Sequence, residues 1–131
     1  MKHEQLMEIL VLVKRLGNLF NEVAEISAQL AEAVDRQDEV SMKMIVAMRY
    51  EPIEKLSIAD KSLREQLASL GEGEDHARIR AVLNGDGSAA RGETEAAIAA
   101  QAATNIRLHQ KIVEQDKILN QKITRDKSIY Q

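Results

Sequence analysis

The chain has 131 residues, of which 44% are hydrophobic, 30% charged and only 2% aromatic, with a net charge of −3 and no cysteine. This composition is typical of one globular domain, and it excludes disulfides and thiolate chemistry. The mild acidity argues against bulk nucleic-acid binding, and no apolar run resembles a membrane span or a secretory signal. We therefore expect a cytoplasmic protein without membrane insertion.

The first predicted helix covers residues 3–36. Its apolar positions repeat every three or four residues, interrupted once by a serine: Leu6, Ile9, Val13, Leu16, Phe20, Val23, Ser27, Leu30 and Val34. This heptad pattern predicts a helix that packs against other helices. Gly17 inside the run costs about 1 kcal/mol relative to alanine. Local weakness is the preferred interpretation of Gly17, and a close helix crossing is the alternative.

The second predicted helix covers residues 38–70, with Asp38 as its N-cap. Its apolar positions are Ile45, Met48, Pro52, Leu56, Ala59, Leu63, Leu67 and Leu70. Because this pattern keeps its phase across Pro52, we expect a kinked helix there, with a break into two helices as the alternative. The methionines near its start suit either an adaptable protein-binding surface or core filling, and Met48 is assigned to the core.

Residues 71–92 are rich in glycine and predict a flexible link that carries a short helix from His76 to Leu83. The third long helix is predicted at residues 93–128. Its first part is lined with small residues, and Asn105 follows in the apolar stripe, where a buried amide can fix register. The expected fold is therefore all-α: an elongated, coiled-coil-like antiparallel bundle of three long helices, with a short extra helix in the second connection.

The sequence contains no histidine pair or Glu-x-x-His motif that could hold a metal, and no plausible Ser/His/Asp set. Asn84, Asp86, Ser88 and Glu95 loosely match the spacing of a calcium loop, but a flexible polar linker is the preferred interpretation. No catalytic residue, metal site or cofactor is expected, and an enzyme is the least favoured class of function.

The third helix is the predicted partner-binding segment. Residues 105–131 carry a net charge of +3, against −6 for the rest of the chain, which suits either the helix dipole or an acidic partner. Its apolar residues include adjacent pairs, which cover more of the helix than one narrow seam. The expected partner-binding residues are Leu108, Ile112, Val113, Ile118, Leu119 and Ile123. Homodimerisation through the same surface is the alternative.

A family resemblance adds a specific partner to this interpretation. A long first helix, a short connection at residues 35–38, the segment Met48-Arg49-Tyr50-Glu51-Pro52-Ile53 and a third helix carrying Asn105 resemble the FlgN-type flagellar export chaperones. The resemblance implies a cytoplasmic helical protein that binds hook-associated proteins before type III export, with client binding from Leu108 onward. The alternative is a structural helical hairpin that homodimerises and scaffolds another assembly without a client.

Overall fold

The computed structural model describes residues 1–129, with the side chains of residues 1–124, and this part of the chain is all-helical. Its elements are α1 (His3–Asp35), α2 (Glu39–Ala68), α3 (Glu74–Leu83), a short 3₁₀ helix (Gly87–Ala89) and α4 (Gly92–Ile129). The prediction of an all-α protein is confirmed, with four helices packed together. None of the described helices is both long and apolar enough to cross a membrane.

Helix α1 is the centre of the molecule because it packs against both α2 and α4. Among residues 1–129, no Cα atom of α2 lies within 8 Å of a Cα atom of α4. The apolar seam of α1 supplies most of the buried side chains, including Ile9, Val13, Val23 and Leu30. Ser27 is also buried, and its hydroxyl has no hydrogen-bond partner. The two helices that flank α1 therefore leave a channel between them.

The contacts along α1 give the direction of each neighbour. Helix α2 runs opposite to α1, since Gln5 Nε2 donates to Ser69 Oγ at 3.0 Å while Val34 packs with residues at the start of α2. Helix α4 runs in the same direction as α1. Near the start of α1, Asn105 contacts Val13, and at its end the Lys122 ammonium lies 2.8 Å from the Asp35 carboxylate.

The connection between α1 and α2 is held by local hydrogen bonds. Gln37 adopts a left-handed conformation with φ of 56°, and the N–H of Asp38 donates to the carbonyl of Ala33 at 2.9 Å. This is the pattern of a Schellman helix end. The Asp38 carboxylate then accepts from the Ser41 N–H at 3.1 Å, as the sequence predicted for a cap of α2.

Helix α2 is continuous from Glu39 to Ala68 and passes through Pro52, whose ring is fully buried. The break into two helices therefore does not occur, and the chain does not reverse. The assignment of Met48 to the core is wrong, because half of its side chain is exposed. The inward face of α2 here is formed by Ile45, Arg49 and Pro52, so Met48 is turned away from α1.

The segment for which the sequence predicted a flexible link, 71–92, holds α3 and the 3₁₀ helix. Ile79 and Val82 of α3 are fully buried in a core cluster with Ile9 and Ile98. At the end of α3, Gly85 has φ of 88°, and a Cβ there would lie 3.2 Å from the Cα of Ala103. The small residues that begin α4 thus accommodate α3.

Gly17 marks a close crossing of α1 and α4. A Cβ at this position would lie 2.5 Å from Gln101 Nε2 and 2.8 Å from Asn105 Oδ1. The preferred interpretation of Gly17 as mere local weakness is therefore wrong, and the alternative holds. Asn105 uses the space to donate from Nδ2 to the carbonyl oxygen of Val13 at 2.8 Å, and it accepts from Gln101 at 2.9 Å.

Candidate functional site

A groove of about 600 Å³ opens between α2 and α4, with α1 as its floor. We call it the α2–α4 groove. Its floor is apolar and consists of Val13, Leu16 and Phe20. Its walls come from α2 (Leu56, Ser57, Asp60, Leu63 and Arg64) and α4 (Ala102, Asn105, Ile106, His109 and Gln110), and Leu83 of α3 borders it. The groove exists because α2 and α4 each contact α1 but not one another along their backbones.

The rims of the groove continue as exposed apolar side chains. On α2, Val46 and Ile53 precede Asp60 by two and one heptads, so they share its face of the helix. On α4, Ile106 lines the groove and Val113 follows seven residues later on the same face. All four apolar side chains are more than 40% exposed. Two apolar edges therefore flank the channel beyond the floor residues.

The polar side chains of the groove lie on its walls, where they are six of the fourteen lining residues. Arg64 Nε lies 3.0 Å from Asp60 Oδ2 within the same wall. His109 contacts the Phe20 ring edge-on, with ring centroids 5.8 Å apart. The groove thus has an apolar floor and mixed walls, and its two formal charges, Asp60 and Arg64, are opposite and paired.

One ion pair joins the two walls. Arg49 of α2 and Asp116 of α4 are 3.0 Å apart, and the Arg49 side chain is only 17% exposed. The same guanidinium nitrogen reaches both carboxylate oxygens, whereas Arg49 Nε is buried without a partner. This pair bridges α2 and α4 within about one helical turn of Ile53 and Val113.

The six predicted partner-binding residues fall into different environments. Ile112 and Leu119 are buried against α1, and Ile123 packs beside Leu119. Leu108 is half-buried, whereas Val113 and Ile118 are exposed. Ile118 lies five residues after Val113, about 140° farther around the helix. The structure therefore brings only Val113 to the rim of the groove, and Ile112 and Leu119 could reach a partner only if α4 left α1.

The predicted apolar stripe of α2 contains two of its groove residues, Leu56 and Leu63, but not the others. Val46, Tyr50, Ile53, Ser57, Asp60 and Arg64 follow a second three-and-four spacing, displaced from the core stripe of the same helix. Only its first half is apolar, and Val46, Tyr50 and Ile53 are a signal that could have indicated the rim, because a helix packed on one side needs only one apolar stripe. The polar wall residues Ser57, Asp60 and Arg64 give no such signal. Of the basic residues in the third helix, Lys122 pairs with Asp35, while the side chains of Arg125 and Lys127 lie outside the described residues.

The described residues bring together no group of three His, Asp or Glu side chains that could hold a metal ion. The candidate calcium ligands have other roles. Asp86 accepts from the Ser88 hydroxyl at 2.6 Å, and this hydrogen bond lowers the pKa of Asp86. Glu95 is buried, pairs with Arg78 at 2.9 Å and accepts from the Arg91 N–H, which lies at the start of α4.

The acidic partners of Arg78 include Asp75 as well as Glu95. The hydrogen bond from Arg78 to Glu95 is the main cause that raises the pKa of the guanidinium, so Arg78 stays charged at any relevant pH. The pair connects α3 to α4, and its role is structural.

Comparison with known proteins gave no match to any family model, curated protein or solved structure.

Proposed function

We propose that this chain is a protein-binding module of the FlgN export-chaperone type, which holds a hook-associated protein in the cytoplasm before type III export. In this proposal the elongated antiparallel bundle of three long helices is the frame, and the α2–α4 groove is the client site. The observation that carries it is the open channel between two helices, which has an apolar floor and exposed apolar residues along both rims.

An amphipathic helix is the client element that fits such a channel. Its apolar face would cover Leu16 and Phe20 on the floor, and its edges would contact Ile53 and Val113 on the rims. Helix-in-groove recognition places anchors at positions i, i+3 or i+4, and i+7 of the bound helix. The groove extends along the helix axes, so two successive turns of a client can contact it.

Truncation of α4 is not a suitable test, because Ile112 and Leu119 are part of the core and their loss would unfold the bundle. Surface substitutions on α4 separate binding from stability. We would replace Ile106 and Val113 together by serine, and use I118S as the matched control, since Ile118 is similarly exposed on another side of the same helix.

The measurement is calorimetric titration of each variant with purified hook-associated proteins. We expect the double variant to bind at least about tenfold more weakly, which corresponds to about 1.4 kcal/mol. The I118S control should bind as the unaltered chain does. If the unaltered chain binds no hook-associated protein, or if both variants lose affinity equally, the proposal fails and the scaffold without a client replaces it.

A further inference from the structure

Helix α2 carries another exposed stripe, on a different face from the α2–α4 groove. It follows three-and-four spacing through Val40, Met44, Met48, Glu51, Lys55, Ile58 and Ser62. Val40, Met44 and Ile58 are each more than 60% exposed. None of these seven residues lines the α2–α4 groove. We call this stripe, together with the neighbouring α1 residues Met7, Val11, Leu12 and Leu19, the outer hairpin face, after the antiparallel hairpin of α1 and α2.

The two halves of the outer hairpin face differ in shape. In one half, Val40, Met44 and Met48 protrude from the start of α2. In the other half, α1 and α2 form two shallow depressions of about 520 Å³ and 460 Å³ that meet at Ser62. Their apolar lining consists of Met7, Val11, Leu12, Leu19, Ile58 and Ala59. One half therefore offers projecting side chains and the other offers places to receive them.

An ion pair lies between the two halves. Lys55 Nζ is 2.9 Å from Glu51 Oε1. Met44 lies seven residues before Glu51 and Ile58 lies seven residues after it. A two-fold axis through Glu51, perpendicular to α2, would therefore place Met44 of one copy on Ile58 of the other. The same axis would bring Lys55 of each copy near Glu51 of the other copy.

We infer that a second copy of this chain docks on the outer hairpin face, with the two α2 helices antiparallel and related by a two-fold axis near Glu51. Self-complementary contacts are what such an isologous interface requires. Met44 and Val40 of each copy fill the depressions beside Ile58 and Val11 of the other copy. The axis also places the two Glu51 carboxylates opposite each other. The Lys55 ammonium of each copy, about one helical turn away along α2, offsets their repulsion by pairing across the interface as well as within its own helix.

The size of the face agrees with a dimer interface. From Val40 to Ser62 α2 rises about 33 Å, and a pair of packed helices is about 20 Å wide. Each copy would thus bury about 660 Å², or about 1,300 Å² for the pair, which lies within the range of specific interfaces. The α2–α4 groove stays open in such a dimer, so this inference does not depend on the proposed client.

Sedimentation velocity of the full chain tests self-association at concentrations up to about 100 µM. We expect a dimer that M44K weakens at least about tenfold. The matched control is V113K, which places the same charge on the exposed rim of the groove and should leave the dimer unchanged. A monomer throughout this range overturns the inference, and so does a dimer that V113K weakens more than M44K does.

The central charges allow a second test with the same readout. In E51K both central positions are basic, and in K55E both are acidic, so each variant alone should dimerise at least about tenfold more weakly. A mixture of the two variants should form a heterodimer, because their centres then have opposite charge. Equal affinities for the two single variants and their mixture overturn the two-fold arrangement.

Cross-linking tests the register directly, since the chain contains no cysteine of its own. Under mild oxidation E51C should form a disulfide-linked dimer, and a mixture of M44C and I58C should form the mixed dimer. V113C is the control and should remain monomeric on a denaturing gel. If V113C cross-links as efficiently as E51C, or if E51C does not cross-link, the copies do not pair through α2 at Glu51.

Discussion

The side-chain amide of Asn105 donates a hydrogen bond of 2.8 Å to the backbone carbonyl oxygen of Val13, although 92 positions separate the two residues. Asn105 is 8% exposed and Gly17 faces it across the crossing of α1 and α4. A buried polar group must be hydrogen-bonded, and Asn105 meets the Val13 carbonyl at one register only. This hydrogen bond therefore fixes the axial register of α4 against α1.

We expect G17A to destabilise the protein by about 1–2 kcal/mol, even though alanine is the better helix former by about 1 kcal/mol. The added Cβ displaces Gln101 into solvent at little cost, but it also pushes Asn105 off Val13. Urea unfolding of G17A, N105A and the double variant measures the coupling. The two losses should be clearly less than additive, whereas additive losses would mean that Gly17 does not act through Asn105.

The second expectation concerns α3 as part of the core. I79A should destabilise the protein by about 2–5 kcal/mol, because Ile79 is fully buried and its removal leaves a cavity. I118A is the control and should stay within about 0.5 kcal/mol of the unaltered chain. An I79A variant as stable as I118A in thermal unfolding would show that residues 71–92 are attached only loosely.

Pro52 gives an expectation in which two effects oppose each other. A proline inside a helix costs about 3 kcal/mol, whereas replacing its buried ring by alanine loses two methylenes, or about 1.6 kcal/mol. P52A should therefore stabilise the protein by about 1 kcal/mol, measured as a higher urea midpoint with an unchanged slope. A lower midpoint would mean that the packing of the ring outweighs the missing backbone hydrogen bond.

Asp38 should make stability depend on pH in the acid range. The hydrogen bond from the Ser41 hydroxyl, aided by the Ser41 N–H, lowers the pKa of Asp38 below its ordinary value of 3.8. A lowered folded-state pKa contributes stability that is complete above pH 3.8 and is lost as pH falls through the folded-state value. D38N keeps an N-cap that does not titrate.

We therefore expect the melting temperature of the unaltered chain to fall relative to that of D38N as the solution is acidified below pH 3.8. D38A should melt lower than both at neutral pH, because alanine cannot accept the Ser41 hydrogen bonds. A constant difference between the unaltered chain and D38N at every pH would mean that the Asp38 charge adds nothing to the cap.

The helices could be predicted because their signals are local. The seam from Leu6 to Val34 has one phase, Asp38 is a cap residue, and the in-phase stripe across Pro52 indicates a single helix. Met48 could not be placed by the same rule, because α2 is apolar on more than one face and the pattern does not say which face meets α1.

The candidate site depends on relations between distant segments, and these leave little local signal. The groove exists because α2 and α4 lie on different sides of α1. The second spacing on α2 shows that another face of this helix is apolar in part, but it does not show where α4 lies. Gly17 shows the same limit. A glycine in a helix costs stability wherever it lies, and only the position of Asn105, far along the chain, identifies Gly17 as the point of closest approach.

The parallel pairing of α1 with α4 also has a consequence for synthesis on the ribosome. Val23 and Leu30 on α1 find their core partners in Ile112 and Leu119, which are translated about 90 residues later. Closing so long a loop costs about 4 kcal/mol of chain entropy, whereas α1 and α2 meet through a short connection. The nascent hairpin of α1 and α2 thus emerges with the α4-facing apolar strip of α1 uncovered. It is therefore prone to aggregation until α4 has been translated.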